Sequence, residues 1–121
     1  MLLPLPDSMR ELVIDGNSLN IRDVVDTGLG LTKVVLSQSA REKMIISREA
    51  ITEILNNKTV TYGINTGFGA LSSVSIESDK LEQLQANLIR SHACGIGDPM
   101  ENSHTLMMML IRANTLCRGN S

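Results

Sequence analysis

Apolar and polar positions fall into short registers at the front of the chain and longer ones behind. Glu11-Leu12-Val13-Ile14 ahead of Asp15-Gly16 predicts a short strand entering a turn, because Asp-Gly favours a tight reversal. Ser18 is placed to cap a short helix over residues 19–26, which Gly28 and Gly30 stop. Lys33-Val34-Val35-Leu36, apolar and β-branched, predicts a second strand. Ser39-Ala40-Arg41-Glu42 has the capping-box pattern, and Ala40, Met44, Ile51 and Leu55 recur at roughly helical spacing up to Asn56-Asn57. Thr59-Val60-Thr61 is extended chain leading into a loop rich in glycine and serine, from Gly63 to about Ser78.

Two more helices follow. Ser78 caps a helix over 78–94 whose apolar stripe is Leu81, Leu84 and Leu88, and Gly95 ends it. Asp98-Pro99 is a break, and Ser103 opens a helix over 104–118 that stops at Gly119. The run Leu106 to Ile111 in that helix is apolar all round, which requires burial on every side. The elements before it are short and few. Further polypeptide, or other subunits, are therefore expected to enclose it, and the chain reads as the front piece of something larger or as one part of an oligomer. The fold class is mainly α with short β elements near the N-terminus, without internal repeats. In isolation such a segment is expected to be sticky.

Composition narrows the function classes. Eleven Lys and Arg against 13 Asp and Glu leave a net charge of −2, with no basic footprint for nucleic acid. The longest apolar run, 106–111, is far short of the ~20 residues that a bilayer span needs. Met-Leu-Leu-Pro-Leu-Pro-Asp at 1–7 lacks the basic and apolar regions of a signal peptide. Cys94 and Cys117, the only cysteines, suit a reducing cytosol, and neither they nor His92 and His104 have the spacing of a metal site. Aromatics are few: Tyr62 and Phe68 are the only ones, and both fall within eight residues that hold three glycines.

That stretch, Tyr62-Gly63-Ile64-Asn65-Thr66-Gly67-Phe68-Gly69, lets a backbone approach a ligand closely. It is not a phosphate loop, because neither Gly-Lys-Ser/Thr nor GxGxxG can be drawn through it. Its chemical group is the phenol of Tyr62, an acid or base only where its surroundings lower a pKa of ~10. On composition alone it serves equally well as a surface loop with a packed tyrosine. The second stretch is Arg90-Ser91-His92-Ala93-Cys94-Gly95-Ile96-Gly97. His92 follows Leu88 by four and so falls on the apolar stripe, near a helix C-terminus where the dipole favours the imidazolium. By itself it is better explained as a half-buried histidine at a helix end. Cys94 has no identifiable partner base. The third, Arg118-Gly119-Asn120-Ser121, is by itself a helix stop.

Together these stretches resemble one family. Residues 62–69 resemble the tyrosine loop of the aromatic amino acid ammonia-lyases. Leu84 to His92 with Gly95-Ile96-Gly97, and Leu110 to Ser121, resemble two further segments in the same order and spacing. Val13-Ile14-Asp15-Gly16-Asn17-Ser18-Leu19 is similar to the start of the histidine-specific members, especially those of animals. The resemblance covers nearly all of the chain from residue 13 onward.

The resemblance implies non-oxidative elimination of ammonia, here from L-histidine to trans-urocanate, by a cytoplasmic homotetramer without a required metal. It implies the N-terminal part of the ammonia-lyase fold, with the start of its central helical bundle. Tyr62 matches the tyrosine that takes part in proton transfer, and Gly69 matches a glycine lining the site. His92 matches the selectivity position. Ser91-His92 looks like the histidine enzymes, whereas the phenylalanine enzymes usually carry Phe-Leu there and the tyrosine enzymes His-Leu. The family's electrophile is a methylidene-imidazolone (MIO) formed from an internal Ala-Ser-Gly. No Ala-Ser-Gly occurs in residues 1–121, so this chain alone is expected to be inactive. Asn120 stands where the family commonly has an aromatic. Rival expectations are a phenylalanine or tyrosine lyase or aminomutase segment, a non-catalytic remnant that binds intact lyase subunits, and an unrelated small binding domain.

Overall fold

A computed structural model describes residues 9–120, the side chains of Leu71 and Ser78 excepted. The expectations about the first seven residues, the Ser78 cap and Ser121 lie outside these described residues. The described chain is mainly helical, with a two-stranded parallel sheet near its start. It divides into two units, residues 1–47 with 99–121, and residues 48–98.

In the first unit, β1 (Arg10–Ile14) pairs with β2 (Thr32–Leu36) in register from Arg10 opposite Thr32 to Ile14 opposite Leu36. Parallel strands need a crossover, and α1 (Ile21–Gly28) supplies it. Leu12 and Ile14 point inward while Glu11 and Val13 face out, the alternation of a half-buried strand. The cap of α1 is Asn20 rather than Ser18. Asn20 Oδ1 accepts from the Asp23 amide, and Asp23 Oδ2 accepts from the Asn20 amide. Ser18 instead donates to Asp15 Oδ1, which also accepts the Asn17 and Ser18 amides and closes the Asp-Gly turn.

The same unit holds the first part of α2 (Gln38–Asn56) and α4 (Asn102–Leu116). The α2 start differs from the capping box at Ser39. Ser37 Oγ, one turn before Ala40, accepts the Ala40 amide at 3.1 Å. Leu12, Ile14, Ala40, Leu110 and Cys117 form the buried core. Gly28 lets α1 close on α4, since a Cβ there would lie 2.8 Å from Met107 Cγ. Asn114 and Arg118 fasten the first turn to the end of α4: Gly16 N donates to Asn114 Oδ1 and Arg118 Nε to Gly16 O, both at 2.9 Å.

Within its own unit α4 is covered on one side only. Leu110 is buried, whereas Met108, Met109 and Ile111 are 57%, 62% and 50% exposed. The expected burial all round is therefore not provided within this unit: α1 packs along α4 and Leu110 joins Leu12 and Ile14 in the core, which leaves the rest of the helix open. Among the described residues no helix is long and apolar enough to cross a membrane.

The second unit contains the rest of α2, the glycine-rich loop and α3 (Leu81–His92). The loop contains a 3-10 turn at Gly69–Leu71, and a second, Ser78–Lys80, leads directly into α3. An isolated antiparallel bridge joins Thr66 to Ser75.

Candidate active site

The glycine loop is folded around two buried polar side chains. Asn65 Oδ1 accepts from Thr61 N at 2.8 Å, and Asn65 Nδ2 donates to Thr59 O at 2.9 Å. The Asn65 backbone adds bonds to Thr61 O and from Ile76 N. Thr66 Oγ1 accepts from Gly63 N at 3.3 Å and donates to Gly67 O at 3.0 Å. Gly63 takes φ +77° and Gly69 φ +56°, in the left-handed region where a Cβ is strained. Glycine there is a backbone requirement.

Tyr62 stands out from this framework, 64% exposed. Its ring meets the Phe68 ring edge-on at a centroid distance of 6.2 Å. Phe68 in turn lines a groove of about 400 Å³ that Leu84, Asn87, Leu88, Ser91 and His92 of α3 also line. An apolar groove ended by a few polar groups is the ordinary form of a small-molecule site. The two stretches singled out in the sequence thus meet in one place. Tyr62 reaches that place through Phe68 and does not itself line the groove, and Gly69 lies one residue beyond its wall.

His92 is exposed at the end of α3. Its Nδ1 lies 2.9 Å from Leu88 O and 3.0 Å from Ser91 Oγ. A carbonyl only accepts, so a hydrogen bond to Leu88 O requires the tautomer with the proton on Nδ1, which leaves Nε2 outside that bond. Ser91 Oγ also bonds Leu88 O at 2.8 Å, so the pair shares one carbonyl. Cys94 is exposed just beyond α3, and Cys117 is buried in the other unit, where burial pushes its thiol above the usual range. Among the described residues no three His, Cys, Asp or Glu are grouped so as to hold a metal. Sequence reasoning missed Asn65 and Thr66; the signal was an Asx residue three after Tyr62 among glycines, a type that bonds nearby backbone.

The family model described as aromatic amino acid lyase matches residues 19–121, and the chain belongs to that family. Within it, the chain is 45% identical over 113 residues to a histidine ammonia-lyase of Caldanaerobacter subterraneus, covering 93% of this chain and 22% of that protein. It is 41% identical over 110 residues to a mouse histidine ammonia-lyase, covering 91% of this chain and 17% of that one. The solved histidine ammonia-lyase of Trypanosoma cruzi superimposes with a TM-score of 0.82 at 37% identity, over 92% of this chain and 21% of that chain. The chain thus spans about a fifth of the length of these relatives. The similarity reaches a bacterial histidine enzyme at least as strongly as the mouse one.

Proposed function

We propose that this chain is the N-terminal segment of a cytoplasmic, homotetrameric lyase that eliminates ammonia from L-histidine, without hydrolysis, to give trans-urocanate. The observation that carries this reading is the groove in which the tyrosine loop faces Ser91 and His92. The histidine ammonia-lyase relatives support the choice of substrate. In this reading Tyr62 moves the proton near the substrate's amino group and β-carbon. Gly69 keeps the loop backbone close to the ligand, and His92 Nε2 hydrogen-bonds the substrate imidazole. A polar site of that kind rejects an analogue lacking the partner far better than an apolar pocket does.

The family's methylidene-imidazolone, when present, supplies an electrophile that makes the β-proton removable. Residues 1–121 contain no Ala-Ser-Gly from which to form it, so it does not come from this chain's own residues. The 121-residue polypeptide alone is accordingly inactive, and the segments here serve a site completed elsewhere.

The test compares the native gene product with the purified 121-residue chain, each incubated with L-histidine, L-phenylalanine and L-tyrosine. Urocanate from the native product and none from the chain alone is the expected result. Elimination from phenylalanine or tyrosine but not histidine would overturn the substrate. Urocanate from the chain alone would overturn its inactivity.

A further inference from the structure

The phenol proposed to move a proton is attached to a loop with little apolar burial to hold it. Glycines at 63, 67 and 69 leave that loop's backbone many accessible conformations. Yet general acid–base chemistry requires a proton-carrying atom within hydrogen-bond reach of its target, and a displacement of about 1 Å can cost about 100-fold in rate. Something must fix the backbone on both sides of Tyr62.

We infer that Asn65 and Thr66 are positioning residues for Tyr62: one side chain holds the amide of the residue before it, the other the amide of the residue after it. Asn65 Oδ1 takes the Thr61 amide and Asn65 Nδ2 ties back to Thr59 O, which fixes the approach to Tyr62. Thr66 Oγ1 takes the Gly63 amide, which fixes the exit, and its own proton goes to Gly67 O. Both side chains are buried, at 6% and 1% exposure, while the tyrosine they flank is 64% exposed. Neither touches the groove's ligand space, so neither is catalytic. The Thr66 to Ser75 bridge and the Ile76 amide on Asn65 O anchor this clamp to the strand-like return of the loop. The clamp uses an oxygen acceptor and a proton donor at each position, which Asn and Thr supply with little bulk.

This inference rests on Tyr62 serving the reaction proposed above. Two substitutions at one site separate a clamp from mere packing. Thr66→Ser keeps the hydroxyl and loses a methyl; Thr66→Val keeps the shape and loses the hydroxyl. In the native lyase, Thr66→Val is expected to lower kcat about tenfold with KM nearly unchanged, and Thr66→Ser to retain it. Asn65→Ala is expected to lower kcat about 100-fold. Hydrogen exchange of the native lyase, read on a peptide spanning the Thr61 and Gly63 amides, reports the clamp independently of turnover. Exchange should quicken in Asn65→Ala and Thr66→Val and hold in Thr66→Ser. Full turnover and unchanged exchange in Thr66→Val, or a loss in Thr66→Ser as large as in Thr66→Val, overturns the clamp. A wild-type lyase that turns over none of the three amino acids strikes the functional reading instead, and the exchange comparison still decides whether the clamp exists.

Discussion

Each unit has a different kind of interior. In residues 1–47 and 99–121 the interior is apolar: Leu12, Ile14, Ala40, Leu110 and Cys117 are buried, and the buried polar groups there are paired. Asp23 bonds Arg10 at 2.8 Å, and Thr27 bonds Thr32 at 2.7 Å. In residues 48–98 the buried side chains among those described are Asn65 and Thr66, both polar, while Leu84 and Leu88 are only half-buried. Hydrophobic burial is non-directional and tolerant, so it makes a stable scaffold. Hydrogen bonds are directional, so they suit a loop that must present one phenol in one direction. The unit carrying the candidate chemistry is the one with the smaller core, as expected where functional loops come from the less stable part of a fold.

The largest effect expected on that contrast is chemical. Tyr62→Phe removes the phenol and nothing else, and should lower turnover of L-histidine by the native lyase about 100- to 10,000-fold without moving its thermal midpoint. An equal loss of stability would make Tyr62 a packing residue. Leu110→Ala should cost about 2–5 kcal/mol in urea unfolding of the chain, since it empties a filled core, whereas Leu88→Ala on the half-buried α3 stripe should cost about 1 kcal/mol. Equal costs would erase the distinction between the units. His92→Leu should shift kcat/KM from histidine toward phenylalanine by at least about tenfold, read from a three-substrate panel.

The smallest effect is on pH. The hydrogen bond from the Arg10 guanidinium holds the Asp23 carboxyl below its ordinary value, helped by the Asn20 amide, against the opposing pull of burial. A carboxyl lowered in the folded state stabilises above its unfolded pKa of ~3.9, and that stability is lost as pH falls through the lower folded value. Asp23→Asn should therefore weaken the chain at neutral pH, and its unfolding midpoint should converge with wild type once the pH lies below that lowered folded value. Parallel curves down to that pH would show that the ion pair contributes nothing.

Much of the scaffold was legible in the sequence because it follows from periodicity. The alternation in 11–14, the Asp-Gly turn and the stripe Leu81, Leu84 and Leu88 each name an element of the right type. Caps were less legible. Asn20 and Ser37 hold the positions assigned to Ser18 and Ser39, because hydroxyl and amide residues one or two positions apart compete equally well for a helix start. The run 106–111 announced a need for burial but not its source, which the described residues supply on one face alone. At the candidate site, Tyr62 and His92 stood out as chemistry-bearing residues among glycine and leucine. Their meeting through Phe68 did not, since it depends on how the loop returns onto α3. Asn65 and Thr66 were harder to see because their work is done on backbone; the cue was residue type alone, an Asx among glycines.

The most direct test is the rate of urocanate formation from L-histidine by the native gene product, measured with Tyr62 intact and as Tyr62→Phe. A wild-type product that forms urocanate and a folded variant that forms almost none is the predicted result. Urocanate at the same rate from both, or from neither, would contradict it.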